Sequence, residues 1–425
     1  MKIKAKKLSY DEVMALPRPK HKKPLKPLFL LSLVVRVLSI FDLLPVSFSY
    51  TKTDINKIKK EPCLILMNHS SFIDLKIVSA LLFPKRYCIV CTTDGFVGKN
   101  LLMRLLGCIP TVKFVNDTTL IRDMQFVLKQ KRTSVLMFPE AGYSFDGRTT
   151  TLPRKLGALL KRLDVPVVSI ITSGAFARDP LYNCLQKRKV KVSADMRLLL
   201  SREQIATMSV EELDSVIDNE FSFDAFKWQK ENNIEIDEPF RADGLERILY
   251  KCACCGEEGQ MVGSGSELVC KSCGKKYHLS VLGELEAVEG KTEFSHIPDW
   301  FSWQRECVKK EIESGEYNLT AEVKIAMLVD KKALYMVGEG VLTHDKNGFV
   351  LIGCDGKLNY TQKPLTSYGL NSDYFWYEIG DVISIGTKKE LYYCFPKHNC
   401  SVAKARLAAE EIYKLHKNSS KAVTA

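Results

Sequence analysis

Between residues 63 and 196 the chain repeats one unit, a short apolar run followed by a stretch of helical length. The runs fall at 63–67, 87–92, 109–115, 133–138, 165–172 and 189–196, with helical stretches near 71–83, 97–106, 117–130, 153–163 and 203–220. Several runs are apolar throughout, which suits strands covered on both faces, and strands alternating with helices specify a largely parallel sheet. We therefore expect an α/β domain over 51–245. In such domains, sites are built in the loops that follow the carboxyl ends of strands.

Two of those loops carry groups suited to proton transfer. Residues 63–74 read CLILMNHSSFID, so a strand ends near Met67 and a helix starts near Ser71. His69 and Asp74 flank the turn, and His69 is the only histidine between residues 22 and 277. An imidazole, with an ordinary pKa of about 6.5, takes a proton from a hydroxyl at neutral pH when a carboxylate orients it. Asp74 also has a plainer use, because Ser71-Phe-Ile-Asp74 is close to a helix capping pattern. Residues 133–144 read TSVLMFPEAGYS, a second strand running into a turn. Glu140 there is expected at the same sheet edge as His69, and Gly142 would permit close backbone approach to a ligand.

These residues resemble the glycerol-phosphate and lysophosphatidic acid acyltransferases. Asn68-His69-Ser-Ser-Phe-Ile-Asp74 and Phe138-Pro139-Glu140 match two blocks of that family, in its order. The family's Gly-x-x-Phe-x-x-Arg resembles Gly107-Cys-Ile-Pro-Thr-Val-Lys113, with Lys113 for the arginine. Its Phe-Pro-Glu-Gly-Thr-Arg-Ser resembles Phe138 to Ser144, with Tyr143 for the arginine. Lys155-Leu-Gly157 resembles a later Lys-x-Gly, and Val165-Pro166 the start of a fourth block. The resemblance spans residues 51–240. It implies that His69 deprotonates an acceptor hydroxyl, which attacks a fatty acyl thioester on coenzyme A or acyl carrier protein. Asp74 would hold the imidazole tautomer, as in a triad without its own nucleophile. Glu140, Lys113, Gly142, Ser144 and Lys155 would line the acceptor pocket of a lysophospholipid such as lysophosphatidic acid. Arginine reads phosphate bidentately and lysine only as a point charge. The two arginine replacements therefore leave room for another lysophospholipid or a glycolipid hydroxyl, with Arg148 and Arg154 close by in sequence. They also leave a rival reading, a non-catalytic membrane scaffold on a decayed acyltransferase fold.

Residues 252–274 contain Cys252-x-x-Cys255-Gly256 and Cys270-x-x-Cys273-Gly274. Two such knuckles supply four thiolates in tight turns, the closed tetrahedral set of a structural zinc. The segment resembles a zinc ribbon, expected over 246–282. Cys254 is out of phase, and His278 would compete for a shell that four cysteines already fill. A filled shell leaves no open position for catalysis. The ribbon alone would suit a nucleic-acid protein, but its surroundings mix both charges and show no interleaving of basic and aromatic residues.

The chain is 425 residues long with a formal charge of +12, yet residues 1–26 alone hold nine Lys/Arg against two Asp/Glu. Beside that arm, residues 28–46 read LFLLSLVVRVLSIFDLLPV. The polar members Ser32, Arg36, Ser39 and Asp42 fall on one helical stripe, and the rest of the surface is apolar. Nineteen residues at about 1.5 Å each barely span a bilayer, and a charge at its centre is costly. We expect a helix lying in the membrane interface, with the basic arm of 1–50 on anionic headgroups. The scattered cysteines read as reduced thiols, which places the protein at the cytoplasmic face of a membrane. After a helical linker at 283–318, short runs at 321–329, 333–337, 340–343, 349–352, 373–379, 382–387 and 390–395 read as strands, closed by a helix near 401–417. That order, a β-rich domain over 319–418 followed by a tail, resembles the pleckstrin-homology-like fold, with His344 and His398 as turn residues. The whole chain reads as an acyltransferase at a lipid surface, with an acyl thioester as donor and no nucleic acid as partner.

Overall fold

The computed structural model describes residues 2–58, 61–115, 117–150, 152, 156–397 and 400–424. Lys155, Arg154 and His398 lie outside them. The first eight strands run from the N-terminal arm through the first domain. They are β1 (Ala5–Lys7), β2 (Ser49–Thr53), β3 (Leu64–Met67), β4 (Tyr87–Thr92), β5 (Cys108–Thr111), β6 (Ser134–Met137), β7 (Val167–Ser173) and β8 (Ser193–Leu200), and β3 to β8 follow the apolar runs. All but β1 form one seven-stranded sheet in the order β2-β8-β7-β3-β6-β4-β5. Strands β7, β3, β6, β4 and β5 are mutually parallel, and β8 runs antiparallel to β7. Strand β2, which carries no apolar run, pairs with β8. The expected strand at 189–196 begins at Ser193 and runs on to Leu200. Apolar residues cover both faces: Leu64 and Leu66 point into one cluster, Ile65 and Met67 into the other.

The helix after β3 spans Asp74–Leu82. Helix Leu156–Leu163 packs closely on helix Val210–Glu220, where a Cβ at Gly157 would lie 2.4 Å from the Val210 carbonyl. The glycine of the Lys-x-Gly motif is thus explained by helix packing.

Helix Phe29–Leu43 lies against the Asp74–Leu82 helix. Its polar stripe turns inward. Ser39 is buried, and Asp42 pairs with Lys76, Arg178 and Lys187 at 3.4–3.8 Å. Its apolar face turns outward, with Leu30 69%, Phe41 72% and nearby Leu44 71% exposed. Among the described residues no helix is long and apolar enough to cross a membrane.

The four-stranded antiparallel sheet of the ribbon comprises Met261–Ser264, Glu267–Cys270, Lys276–Leu279 and Leu285–Ala287. Its last strand passes the expected boundary at 282, because Leu285 pairs with Leu279. Helix Ile297–Ser314 docks on it through the buried Gln304, which bonds Ile248 O and Lys251 N, and through Trp300, which bonds Lys251 O.

The C-terminal region is an antiparallel sheet of seven strands capped by helix Val402–Thr424. The runs expected at 333–337 and 340–343 form one strand, Leu334–Asp345, and Leu358–Gln362 adds a strand that was not anticipated. No glycine or proline interrupts 402–424, so the helix runs through the segment expected to be a tail. His344 is no turn residue: it is buried in a strand, bonded to Tyr317 and stacked on Phe349. The basic arm is partly ordered as well. Strand β1 adds in parallel to Leu334–Met336, satisfying a strand edge that otherwise has open backbone groups. One apolar cluster joins Phe145 and Phe176, the ribbon residues Leu268 and Tyr277, Trp300 and the C-terminal sheet.

Candidate functional site

Strands β3 and β6 are adjacent and parallel, so the two motif loops emerge side by side at the same sheet edge. The loop after β3 is braced by the buried Asn68, whose Oδ1 accepts from Thr172 N at 2.9 Å and Thr172 Oγ1 at 3.1 Å. Asp74 opens the next helix and reaches back over the turn. Its Oδ2 accepts from Ser70 N at 2.9 Å and Ser71 N at 3.1 Å, and lies 3.0 Å from His69 Nδ1. Asp74 is the first residue of its helix, and no side chain caps that helix; of the expected capping pattern only the bond from Ser71 N to Asp74 forms, and together with Ser70 N it fixes the carboxylate that orients the ring.

Glu140 is fully buried, and its two oxygens serve the two loops. Oε1 accepts from His69 N at 3.0 Å, and Oε2 from Thr150 N at 2.9 Å. The His69 ring lies between Phe138 and Tyr143, with centroids 4.0 and 3.9 Å away. Burial, and then the Lys113 charge, push the imidazole down to about 3. Burial pushes Asp74 up to about 7 against the pull of the Ser71 and Ser70 N–H groups, and Glu140 up to about 7 against those of Thr150 and His69. At neutral pH the ring is therefore neutral, as a base must be, with Nδ1 engaged by Asp74 and Nε2 left as the proton-accepting nitrogen.

The remaining expected pocket residues fare differently. Lys113 comes to the site, but its Nζ lies 3.7 Å from Asp373 Oδ2, on the C-terminal sheet. Ser144 is buried, and its hydroxyl is used within the loop, donating to Arg148 O at 2.6 Å and accepting from Gly147 N at 2.9 Å. It closes the loop. Gly142 meets no crowding, since a Cβ there would sit at ordinary contact distance from Phe114 and Arg406. The left-handed residue of this turn is Ala141, at φ 57°. The glycine of the related motif stands one position earlier than Gly142, and here an alanine takes that strained conformation. Arg148 does not stand in for the missing arginines, because its guanidinium is held by Asp224 and Asp299, both at 2.7 Å.

Residues that sequence reasoning missed complete the site. Arg406, on the C-terminal helix, donates to Tyr143 O at 3.2 Å and lies 4.2 Å over the Phe145 ring. Asp373 and Arg406 lie far along the chain, in segments without a motif. A cavity of about 520 Å³ opens beside Ser70, lined among others by Arg148, Thr172, Ser173, Phe176 and Trp228.

The four ribbon cysteines also converge, with every Sγ within 4.8 Å of the others. The Cys252–Cys273 and Cys255–Cys270 sulfur separations are 3.9 and 3.8 Å, matching the edge of a tetrahedron with metal–sulfur bonds of about 2.3 Å. Gly256 and Gly274 adopt φ 80° and 73°, with open space around them, so the turn conformation itself requires them. His278 is not in the cluster; its Nε2 meets Arg241 Nη2 at 3.3 Å. The donor set fits a structural zinc, and no ligand position is left for substrate.

Residues 49–173 match the family model described as acyltransferase. Among solved structures, the chain is similar to the crystal structure of the 1-acyl-sn-glycerophosphate (LPA) acyltransferase, PlsC, from Thermotoga maritima. The two are 15% identical, with 45% of this chain and 76% of that chain covered and a TM-score of 0.35. No curated relative matches.

Proposed function

We propose that the protein transfers a fatty acyl group from a thioester, on coenzyme A or acyl carrier protein, to a hydroxyl of a lysophospholipid, a reading supported by the match of residues 49–173 to the acyltransferase family model. The observation that carries this reading is the His69–Asp74 pair, 3.0 Å apart at the end of a buried strand. His69 Nε2 takes the proton of the acceptor hydroxyl as its oxygen attacks the thioester carbonyl. Asp74, held by two backbone donors, stabilises the imidazolium that forms. The thiolate of the carrier then leaves as the tetrahedral intermediate collapses and takes the proton from the His69 imidazolium, which restores the neutral ring. No enzyme-bound acyl group is needed. The cavity beside Ser70, at about 520 Å³, falls within the roughly 300–1,000 Å³ range of ligand sites and offers substrate space next to the histidine loop.

We further propose that the protein works at a membrane surface on the cytoplasmic side. The outward apolar face of Phe29–Leu43 supports this, together with exposed Phe72 and Leu75 beside the catalytic loop. The substrates are amphiphiles, and a helix lying in the interface would hold the site over them. The zinc ribbon would serve as a rigid joint between the catalytic domain and the C-terminal sheet.

The test is mass-spectrometric. Purified protein and His69→Ala are incubated with palmitoyl-coenzyme A or palmitoyl-acyl carrier protein and a panel of lysophospholipids and glycolipids. Acylation by the wild type alone is expected. If neither protein acylates any acceptor, the scaffold reading takes over.

A further inference from the structure

The C-terminal sheet supplies part of the catalytic edge. Strand Asn371–Trp376 carries Asp373, which is 7% exposed, with Oδ2 3.7 Å from Lys113 Nζ. Among the described residues, Oδ1 has no hydrogen-bond partner. Asp373 and His69 lie close enough for the charge of each to act on the other. The contact is continuous on the other side as well. Tyr143 covers the His69 ring and accepts from Arg406, Arg406 lies over Phe145, and Phe145 packs at 4.6 Å on Tyr374, the neighbour of Asp373.

A buried carboxylate oxygen without a donor is costly, and a ligand that brings a donor recovers that loss. A phosphate monoester brings the opposite. It carries a charge of about −1.5 to −2 at neutral pH, and among the described residues Lys113 is already partly neutralised by Asp373 and Arg406 is engaged by Glu410. We propose that Asp373 is a specificity-determining residue of the acyl-transfer site. Its Oδ1 accepts a hydrogen bond from a hydroxyl or ammonium group of the acceptor headgroup, so acceptors bearing such a donor are used in preference to a bare phosphate monoester. The C-terminal module thereby selects the acceptor for a reaction performed by the first domain. This inference rests on the acyl-transfer reading.

The full-length protein is assayed with both palmitoyl thioesters and three acceptors: lysophosphatidylglycerol for the hydroxyl, lysophosphatidylethanolamine for the ammonium, and lysophosphatidic acid for the monoester. At least one of the first two is expected to exceed the third in kcat/KM by about 10- to 100-fold, the worth of one hydrogen bond to a charged group. Asp373→Asn should lower that ratio by about tenfold or more, with an unfolding temperature close to wild type. A wild-type preference for lysophosphatidic acid, or an unchanged ratio in the variant, overturns the proposal. A second measurement separates this from the failure of acyl transfer itself. His69→Ala protein is titrated with the same three lysolipids below their micelle concentrations. Discriminating binding without wild-type turnover sinks the acyl-transfer reading and overturns Asp373 as an acceptor-selecting residue, leaving only a headgroup preference in binding. Turnover with equal binding and equal kcat/KM sinks the preference alone, and failure to bind any lysolipid overturns both.

Discussion

The Glu140 carboxylate accepts the backbone N–H of His69 at 3.0 Å, so it holds the histidine loop by its main chain. Its other oxygen takes Thr150 N. In Glu140→Gln, one of these two N–H donors would meet an amide N–H₂ instead of an acceptor. A buried donor left unsatisfied costs about 1–3 kcal/mol, which corresponds to a fall in unfolding temperature of roughly 2–12 °C in a domain of this size. We expect kcat to fall at least tenfold as well, because the loop that carries His69 loses its brace. Calorimetry and turnover on the same preparation check this. An unshifted transition with full activity would show that the tie between the loops is dispensable.

Asp74→Asn keeps the shape of the side chain but loses the charge that stabilises the imidazolium. It also permits the wrong ring tautomer. A loss of kcat of about 10³- to 10⁴-fold is expected by analogy with the corresponding change in triads. The pH dependence follows from the same pair. Burial holds the imidazole neutral down to about 3, so its own titration does not limit the rate near neutrality. Asp74, raised to about 7, must lose its proton to support the base. Activity should therefore rise with pH through about 7 and be lost on acidification. The stability contribution has the opposite sign. A carboxyl raised in the folded state binds more protons there than in the unfolded chain, so its stabilisation is greatest below about 4 and falls as pH rises to about 7. A profile of kcat/KM that is flat from pH 5 to 8 would remove Asp74 from this role.

How legible all this was in the sequence depended on distance along the chain. His69 and Asp74 were readable because the group to be oriented and the group that orients it lie within one turn. The parallel sheet was readable because its strands are apolar on both faces, whereas β2, which is exposed throughout, gave no signal. The polar stripe Ser32, Arg36, Ser39 and Asp42 could be placed on one side of its helix. That this side faces the protein was not readable, because Lys76, Arg178 and Lys187 meet Asp42 only in the folded chain. Asp373 and Arg406 were invisible for the same reason: a lone Asp in a β-rich segment and one Arg among several charges on a helix carry no motif, and only the tertiary fold brings them to Lys113 and Tyr143. Ser144 shows the same limit: its place in the motif was readable, but that its hydroxyl bonds Arg148 O and Gly147 N within the loop was not.

Metal removal should act on the whole molecule. Cys252 and Cys270 are fully buried, and the ribbon shares its apolar cluster with Phe145 and Phe176 of the catalytic domain. Folding free energies of structural zinc sites are about 10–16 kcal/mol in isolated peptides. We expect one zinc per chain by elemental analysis. Cys270→Ser, or a strong chelator at raised temperature, should lower the unfolding temperature by about 10 °C or more. A metal-free preparation with unchanged unfolding would show that the four thiols need no ion.

The outward face of Phe29–Leu43 leads to the last expectation. Burying a Leu or Phe side chain in an apolar medium is worth about 1.5–3 kcal/mol, and about 1.4 kcal/mol is tenfold in partitioning. Leu38 and Phe41 are 60% and 72% exposed, so replacing both with Asp should change the unfolding temperature little. The same double variant should bind vesicles of mixed neutral and anionic phospholipid at least about 100-fold more weakly. The basic arm would contribute a salt-sensitive part of that binding, because its attraction to headgroups is screened over about 10 Å at 0.1 M salt. The apolar part should persist at high salt. Flotation of wild type and variant at low and high salt separates the two contributions. If the wild type fails to float with the vesicles at either salt concentration, the helix does not hold the protein at a lipid surface, and its apolar face must be covered in another way.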